Sequence, residues 1–246
     1  MAAPAAEAAA HAEMIKGDAF DSAGTQRLRT PEAIFTAPDG ISVSHIFVSI
    51  DPAAGGSRSQ AIVTAFYHGG KMVIVGADAK VYWHMKEALS VIARHVNAVR
   101  ALPGFEGATA VFVSESNLGF EAQNIQEYIN ERTDLVNTCF MMEDGDSTTP
   151  RAGIRVTNTL KQDMISSFDL RLAEGDIYFY DQFVCITDGL TDDDIKERIV
   201  EQIEACCVPT PSRLPRGWDE LAIAVTINPV AHRRFHTNTL KYRKWH

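Results

Sequence analysis

The sequence has no C-x-x-C pair, no apolar run approaching the roughly 18 to 20 residues of a membrane span, and no excess of positive charge. Each absence excludes a class. The four cysteines are Cys139, Cys185, Cys206 and Cys207, and the last two are adjacent, which no disulfide framework favours; structural thiols in a reducing compartment fit this usage. A formal net charge of -9 rules out whole-chain attraction to nucleic acid, so any such binding needs a local basic surface. The N-terminus lacks a basic n-region and carries Glu7, unlike a secretory signal. No G-x-x-x-x-G-K-[ST] phosphate loop exists: around Gly70-Lys71, the other required positions hold Ala65 and Met72. No internal repeat or linker interrupts the chain.

What is present is ordinary globular material, 46% hydrophobic and 22% charged, in 246 residues, enough for one large α/β domain or two small ones. Residues 1–44 read as weakly structured, opening on an alanine-rich stretch that fits a frayed helix, a disordered arm or an artificial addition. From His45 the pattern sharpens. Residues 45–51 form an apolar run that ends in Asp51 and is stopped by Pro52. Gly55-Gly56 turns the chain into a second run, Ala61–Phe66, and Gly69-Gly70 into a third beginning at Lys71, which predicts an antiparallel three-strand meander. Apolar residues at helical spacing predict a helix over 86–102, ended by Pro103-Gly104. A strand over 108–114 runs into Glu115-Ser116-Asn117; a helix over 121–135, a strand over 137–142 and a helix over 160–173 follow, the last stopped by Gly175. Residues 176–186 read as one or two strands, and Thr191-Asp-Asp-Asp194 as the capping box of a helix over 195–207. Gly217-Trp218-Asp219-Glu220 precedes a late apolar helix, and 231–246 is a basic C-terminal tail. Three antiparallel strands followed by alternating helices and strands predict one mixed-sheet α/β domain over 45–230.

The chemistry lies where apolar elements end in acids. Asp51 and Glu115 each terminate a strand, and Asp219-Glu220 opens a helix. A buried strand seldom ends in an unpaired carboxylate, whose desolvation costs several kcal/mol. If these ends converge, divalent cations offset the repulsion, and hard oxygen donors suit Mg²⁺ or Mn²⁺. Two such ions about 4 Å apart suit phosphodiester cleavage. Without convergence, the same acids are turn residues and helix caps. His232 and His236 have the spacing of helix-borne zinc ligands, but Pro229 argues against a helix there and no cysteine pair completes a site.

Taken in order, "SIDPAAGG" at Asp51, "VSESN" at Glu115, "TNTLKQDMISSFDLRLAEGDIYFYDQFV" and "WDELAIAV" at Asp219-Glu220 resemble the C-terminal RNase H-like nuclease domain of herpesvirus-type terminase large subunits, over about residues 44–230. The resemblance implies an RNase H-like mixed sheet, flanked by helices. It implies a metal-dependent endonuclease, using two Mg²⁺ or Mn²⁺ ions, that cuts concatemeric viral DNA with low sequence specificity during genome packaging. Asp51 and Glu115 match the family's first two ligands, Asp219 or Glu220 the third, and Lys161 a lysine near the active centre. Double-stranded DNA, other terminase subunits and the portal are the implied partners, in the host nucleus and with no membrane. Two departures stand out: the family's ATPase motor has no counterpart here, so the chain corresponds to the nuclease part, and Ser59 occupies a position where some relatives carry another acid.

Two other readings compete. Asp51-Pro-Ala-Ala-Gly-Gly-Ser also resembles the first phosphate loop of actin and sugar-kinase-like ATPases, but that fold needs a second Asp-x-Gly-Gly-Thr-like loop, and Asp188-Gly189 lacks the second glycine. The third is a non-catalytic protein-interaction module whose acids face solvent.

Overall fold

The computed structural model describes residues 34–52, 59–82, 84–117, 121–143, 151–207, 220–236 and 242–244. The Gly55-Gly56 turn, the 144–146 polar loop, the whole alanine-rich stretch and Asp219 lie outside them.

A mixed sheet dominates. β2 (His45–Asp51), β3 (Ser59–His68) and β4 (Lys71–Val81) form the expected antiparallel meander. Gly69 and Gly70 take φ of 58° and 84° between β3 and β4, as a two-residue type I′ turn requires. β5 (Thr109–Ser114) lies parallel to β2, and β6 (Thr138–Glu143) parallel to β5. On the other side, β8 (Ile177–Val184) runs parallel to β4, and β1 (Ile34–Phe35) parallel to β8. Two short strands, β7 (Arg151–Ala152) and β9 (Tyr242–Lys244), pair antiparallel with β6. Among the described residues this makes nine strands in the order β1-β8-β4-β3-β2-β5-β6-β7, with β9 also on β6.

Helices cover both faces. α1 (Met85–Arg100) and α2 (Glu121–Asn130) pack on one face, against Ile46, Val48 and Ile50 of β2 and Ala110 and Phe112 of β5. α3 (Asn158–Glu174), α4 (Asp192–Cys207) and α5 (Glu220–His236) cover the other, which carries Phe47, Val111 and Val113. Both faces of the central strands are buried, so β2 and β5 read as continuous apolar runs rather than alternating ones. Thr191 and Asp194 form the capping box at α4: the Thr191 N–H donates to Asp194 at 2.7 Å and the Asp194 N–H to Thr191 Oγ1 at 3.1 Å.

The structure differs from the sequence reading at several edges. α2 stops at Asn130, where Arg132 and Asp134 close the turn by an ion pair of 2.6 Å. α5 continues through Pro229 to His236. A proline inside a helix costs about 3 kcal/mol, which burial of Ile227, Val230 and Ala231 and the hydrogen bonds of Asn228 offset. Residues 231–236, read as the start of the tail, are the last turn of this helix, and 242–244 are a strand on the sheet. Phe35, Ala37 and Ile41, ahead of residue 45, pack on the core.

A buried polar network ties β3, β4, α1 and the end of β8 together. Asp78 is hydrogen-bonded to His95 and accepts from Thr187 Oγ1 (2.7 Å) and the Ile186 N–H (2.8 Å), while the other ring nitrogen of His95 meets Thr64 Oγ1 at 2.8 Å. Burial pushes the Asp78 pKa up, but hydrogen bonds from His95, Thr187 and Ile186 and the His95 charge outweigh it and hold the carboxyl below its ordinary value. A depressed carboxyl pKa stabilises the fold above the unfolded-state value, near 4, and that stability is lost as acid titrates the folded state. Asp78→Asn is therefore expected to cost about 3 kcal/mol at neutral pH. It should also flatten the loss of melting temperature below about pH 4, read by calorimetric melts across pH.

Candidate active site at the β2/β5 rim

Asp51 and Glu115 emerge side by side. In the parallel register Ile50 is paired with Ser114, and the Glu115 N–H donates to the Ile50 carbonyl at 2.9 Å. The next residue on each strand is an acid, one strand spacing apart, about 4.8 Å. Alternation puts both on the α5 face: Asp51 follows Phe47 and Ser49, and Glu115 follows Val111 and Val113.

α5 runs antiparallel to β2 across this face. His232 and Phe235 pack edge-on against Phe47, and Asn228 Nδ2 donates to the Phe47 carbonyl (3.2 Å) and to Ser49 Oγ (2.7 Å). Moving along β2 towards Asp51 therefore means moving back along α5 towards its start. The eight residues from Asn228 to Glu220 span about 12 Å of helix; two strand residues from Ser49 to Asp51 span about 7 Å. The N-terminus of α5 thus reaches the rim, and the end carrying Arg233 and Arg234 lies at the opposite edge, by His45.

Glu220 itself has a partner on the neighbouring helix. Its side chain is 3% exposed, and Arg198 Nη2 of α4 donates to Oε1 at 2.6 Å. One turn further along α4, Gln202 Oε1 accepts the N–H groups of Leu221 (2.8 Å) and Ala222 (3.2 Å), two of the donors a helix start leaves open. Arg198 and Gln202 together hold the beginning of α5. Glu220 Oε2 is buried with no hydrogen-bond partner among the described residues. Asp219, the residue before the helix, lies outside them.

The opposite wall of the rim is the chain between β7 and α3. Gly153, at φ 89°, lies so close to β5 that a Cβ there would overlap the Ser114 carbonyl oxygen. The Ile154 N–H donates to Ser114 (2.7 Å), the Ser116 N–H donates back to Ile154 (2.9 Å), and Glu115 is bridged to Ile154. Asn117 continues the contact with its side chain, bonding Glu115 Oε1 as well as Val156. Thr157, next in the chain, caps α3 by accepting from the Leu160 N–H at 3.2 Å. Lys161, half-buried, sits in the first turn of that helix, and Arg155 is exposed.

Of the proposed acids, the structure brings Asp51 and Glu115 together and turns Glu220 to Arg198. Among the described residues no group of three His, Cys, Asp or Glu side chains forms a metal site. His232 and His236 share α5, but His232 stacks on Tyr67 with ring centroids 3.5 Å apart; burial, with help from His236 and Arg171, pushes its pKa down to about 4. No described helix is long and apolar enough to cross a membrane. The sequence reading missed Arg198 and the role of Asn117. Asn117 was visible two residues after an acid, but its partner is 39 positions away.

Replacing Arg198 removes the ion-pair partner of the buried Glu220 carboxylate, which is strongly destabilising. Arg198→Met is expected to lower the melting temperature by several degrees, and the double variant Arg198→Met/Glu220→Gln to recover part of that loss. Differential scanning calorimetry of the two variants checks this.

The sequence matches no protein-family model and no curated protein. Solved structures do match. The nuclease domain of human cytomegalovirus terminase aligns at TM-score 0.67 and 17% identity, over 82% of this chain and 88% of that one. A Mn-soaked, inhibitor-bound form aligns at TM-score 0.64 and 17% identity, over 81% and 87%. The nuclease domain of the P22 large terminase aligns at TM-score 0.50 and 11% identity, over 85% and 92%. With its mixed sheet between helical layers, the chain has the RNase H-like fold of the terminase nuclease domain.

Proposed function

We propose that the chain is a metal-dependent endodeoxyribonuclease that hydrolyses phosphodiester bonds of concatemeric double-stranded viral DNA during genome packaging. The observation that carries this is the pairing of Asp51 and Glu115 on adjacent strand ends, in the fold of a terminase nuclease domain. One such neighbour, the human cytomegalovirus terminase nuclease domain, is a Mn-soaked form.

The donor chemistry fits a hard divalent cation: two carboxylates converge on one face and repel each other unless a cation lies between them. Asp51 and Glu115 would hold the metal, with Asp219 as the third ligand we propose. Glu220, engaged by Arg198 inside the protein, is the poorer choice. Two Mg²⁺ or Mn²⁺ ions held there supply Lewis acidity toward the phosphate and lower the pKa of water. The protein supplies the rest. The Glu115 N–H, donating to the Ile50 carbonyl, and the bonds of Ile154 with Ser114 and Ser116 fix the strand ends that carry the acids. Lys161 and Arg155, on the wall beside Glu115, orient the DNA backbone by charge, a contact that reads no sequence. By the same resemblance the partners are other terminase subunits and the portal, in the host nucleus.

Isothermal titration should show saturable Mn²⁺ binding by the wild type, lost in Asp51→Ala. Glu115→Ala should keep the native circular dichroism and melt yet leave supercoiled plasmid uncut in Mn²⁺. ATP should give no thermal shift. A Glu115→Ala protein that cuts as well as wild type removes Glu115 from the site.

A further inference from the structure

We propose that Asn117 is the positioning residue of the site: its carboxamide holds the Glu115 carboxylate and fastens it to the start of α3. The inference rests on the metal reading above and adds to it a residue that is not itself a ligand.

The geometry is a side chain acting as a rung of the sheet. The backbone ladder between β5 and the 153–156 segment runs from Ile154 N–H to Ser114 carbonyl and from Ser116 N–H to Ile154 carbonyl. At Val156 a side chain meets the segment: Asn117 Oδ1 accepts the Val156 N–H at 2.9 Å and Nδ2 donates to the Val156 carbonyl at 2.7 Å. The carboxamide thus copies a peptide group, offering one acceptor and one donor in the same plane. Nδ2 carries a second hydrogen, and that one goes to Glu115 Oε1 at 2.5 Å. Both donors and the acceptor are in use.

The arrangement has two consequences. Glu115 is long, and a free glutamate would lose about 1.5 to 2 kcal/mol of rotamer freedom on being fixed; a donor anchored at two backbone points removes part of that cost before a cation arrives. The same amide sets the separation between Glu115 and α3, because Val156 directly precedes the Thr157 cap and Lys161 lies one turn on. Asparagine suits this position on chemical grounds. Aspartate offers no donor and would set a second charge against Glu115; serine has one hydroxyl where three hydrogen bonds are made.

Partners that orient a metal-binding carboxylate typically cost about 10- to 100-fold in metal affinity when removed. Asn117→Ala in the full chain is expected to weaken Mn²⁺ binding within that range by isothermal titration, well below its melting temperature and with native circular dichroism. In metal-free protein the Val156 amide should exchange its hydrogen faster. Should alanine prevent folding, Asn117→Ser, which keeps a hydroxyl near Glu115, is measured in the same way and is expected to lose affinity also. Unchanged Mn²⁺ affinity in a folded Asn117 variant, beside normal binding by the wild type, overturns this inference alone. Affinity lost only in proportion to the unfolded fraction overturns it too, since that is a merely structural role. Absence of Mn²⁺ binding by the wild type overturns the metal reading and takes this inference with it.

Discussion

The hydrogen bond from the Glu115 N–H to the Ile50 carbonyl fixes the register on which the rest depends. Because β2 and β5 are parallel and in step, residues 51 and 115 leave the sheet together and on the same face. A slip of one residue would send one acid to the α1/α2 side. Slippage is opposed by burial: Ile46, Val48, Ile50, Ala110 and Phe112 fill one core, and Phe47, Val111 and Val113 the other. Two apolar layers thus enforce a polar coincidence that neither would favour by itself.

Around that pair the fold separates stability from chemistry. Away from the rim, polar side chains tie the buried elements together. Asp78, His95 and Thr64 share one chain of hydrogen bonds in the interior, and Asn228 ties α5 to β2 between apolar neighbours. At the rim the polar groups are less enclosed. Asp51 and Glu115 are only half-buried, Arg155 is exposed, and Asn117 commits both of its N–H donors, to Glu115 and Val156. The start of α5 is intermediate: Arg198 and Gln202 hold it from α4.

Much of the fold was legible in the sequence. The meander followed from apolar runs divided by glycine pairs, α4 from its capping box, and the stop of α3 from Gly175, which takes φ 72° at the C-cap. Those are local signals, carried by residues within a few positions of one another. α5 was harder, since Pro229 spoke against a helix that burial nevertheless maintains. Pairing of β9 with β6 and of β1 with β8 was not legible at all, because strands of two or three residues carry no period.

The sequence by itself determined that two strands end in acids and that a third acidic pair opens a late helix, because apolar runs, Pro52 and the chain's own order are one-dimensional facts. Only the tertiary structure decided which acids meet. Parallel pairing across 64 positions joined Asp51 to Glu115. A guanidinium from α4 drew Glu220 inward, and an amide found its backbone partner 39 residues away. Such choices depend on strand register and helix direction, which are set by packing in three dimensions and leave no local mark on the chain.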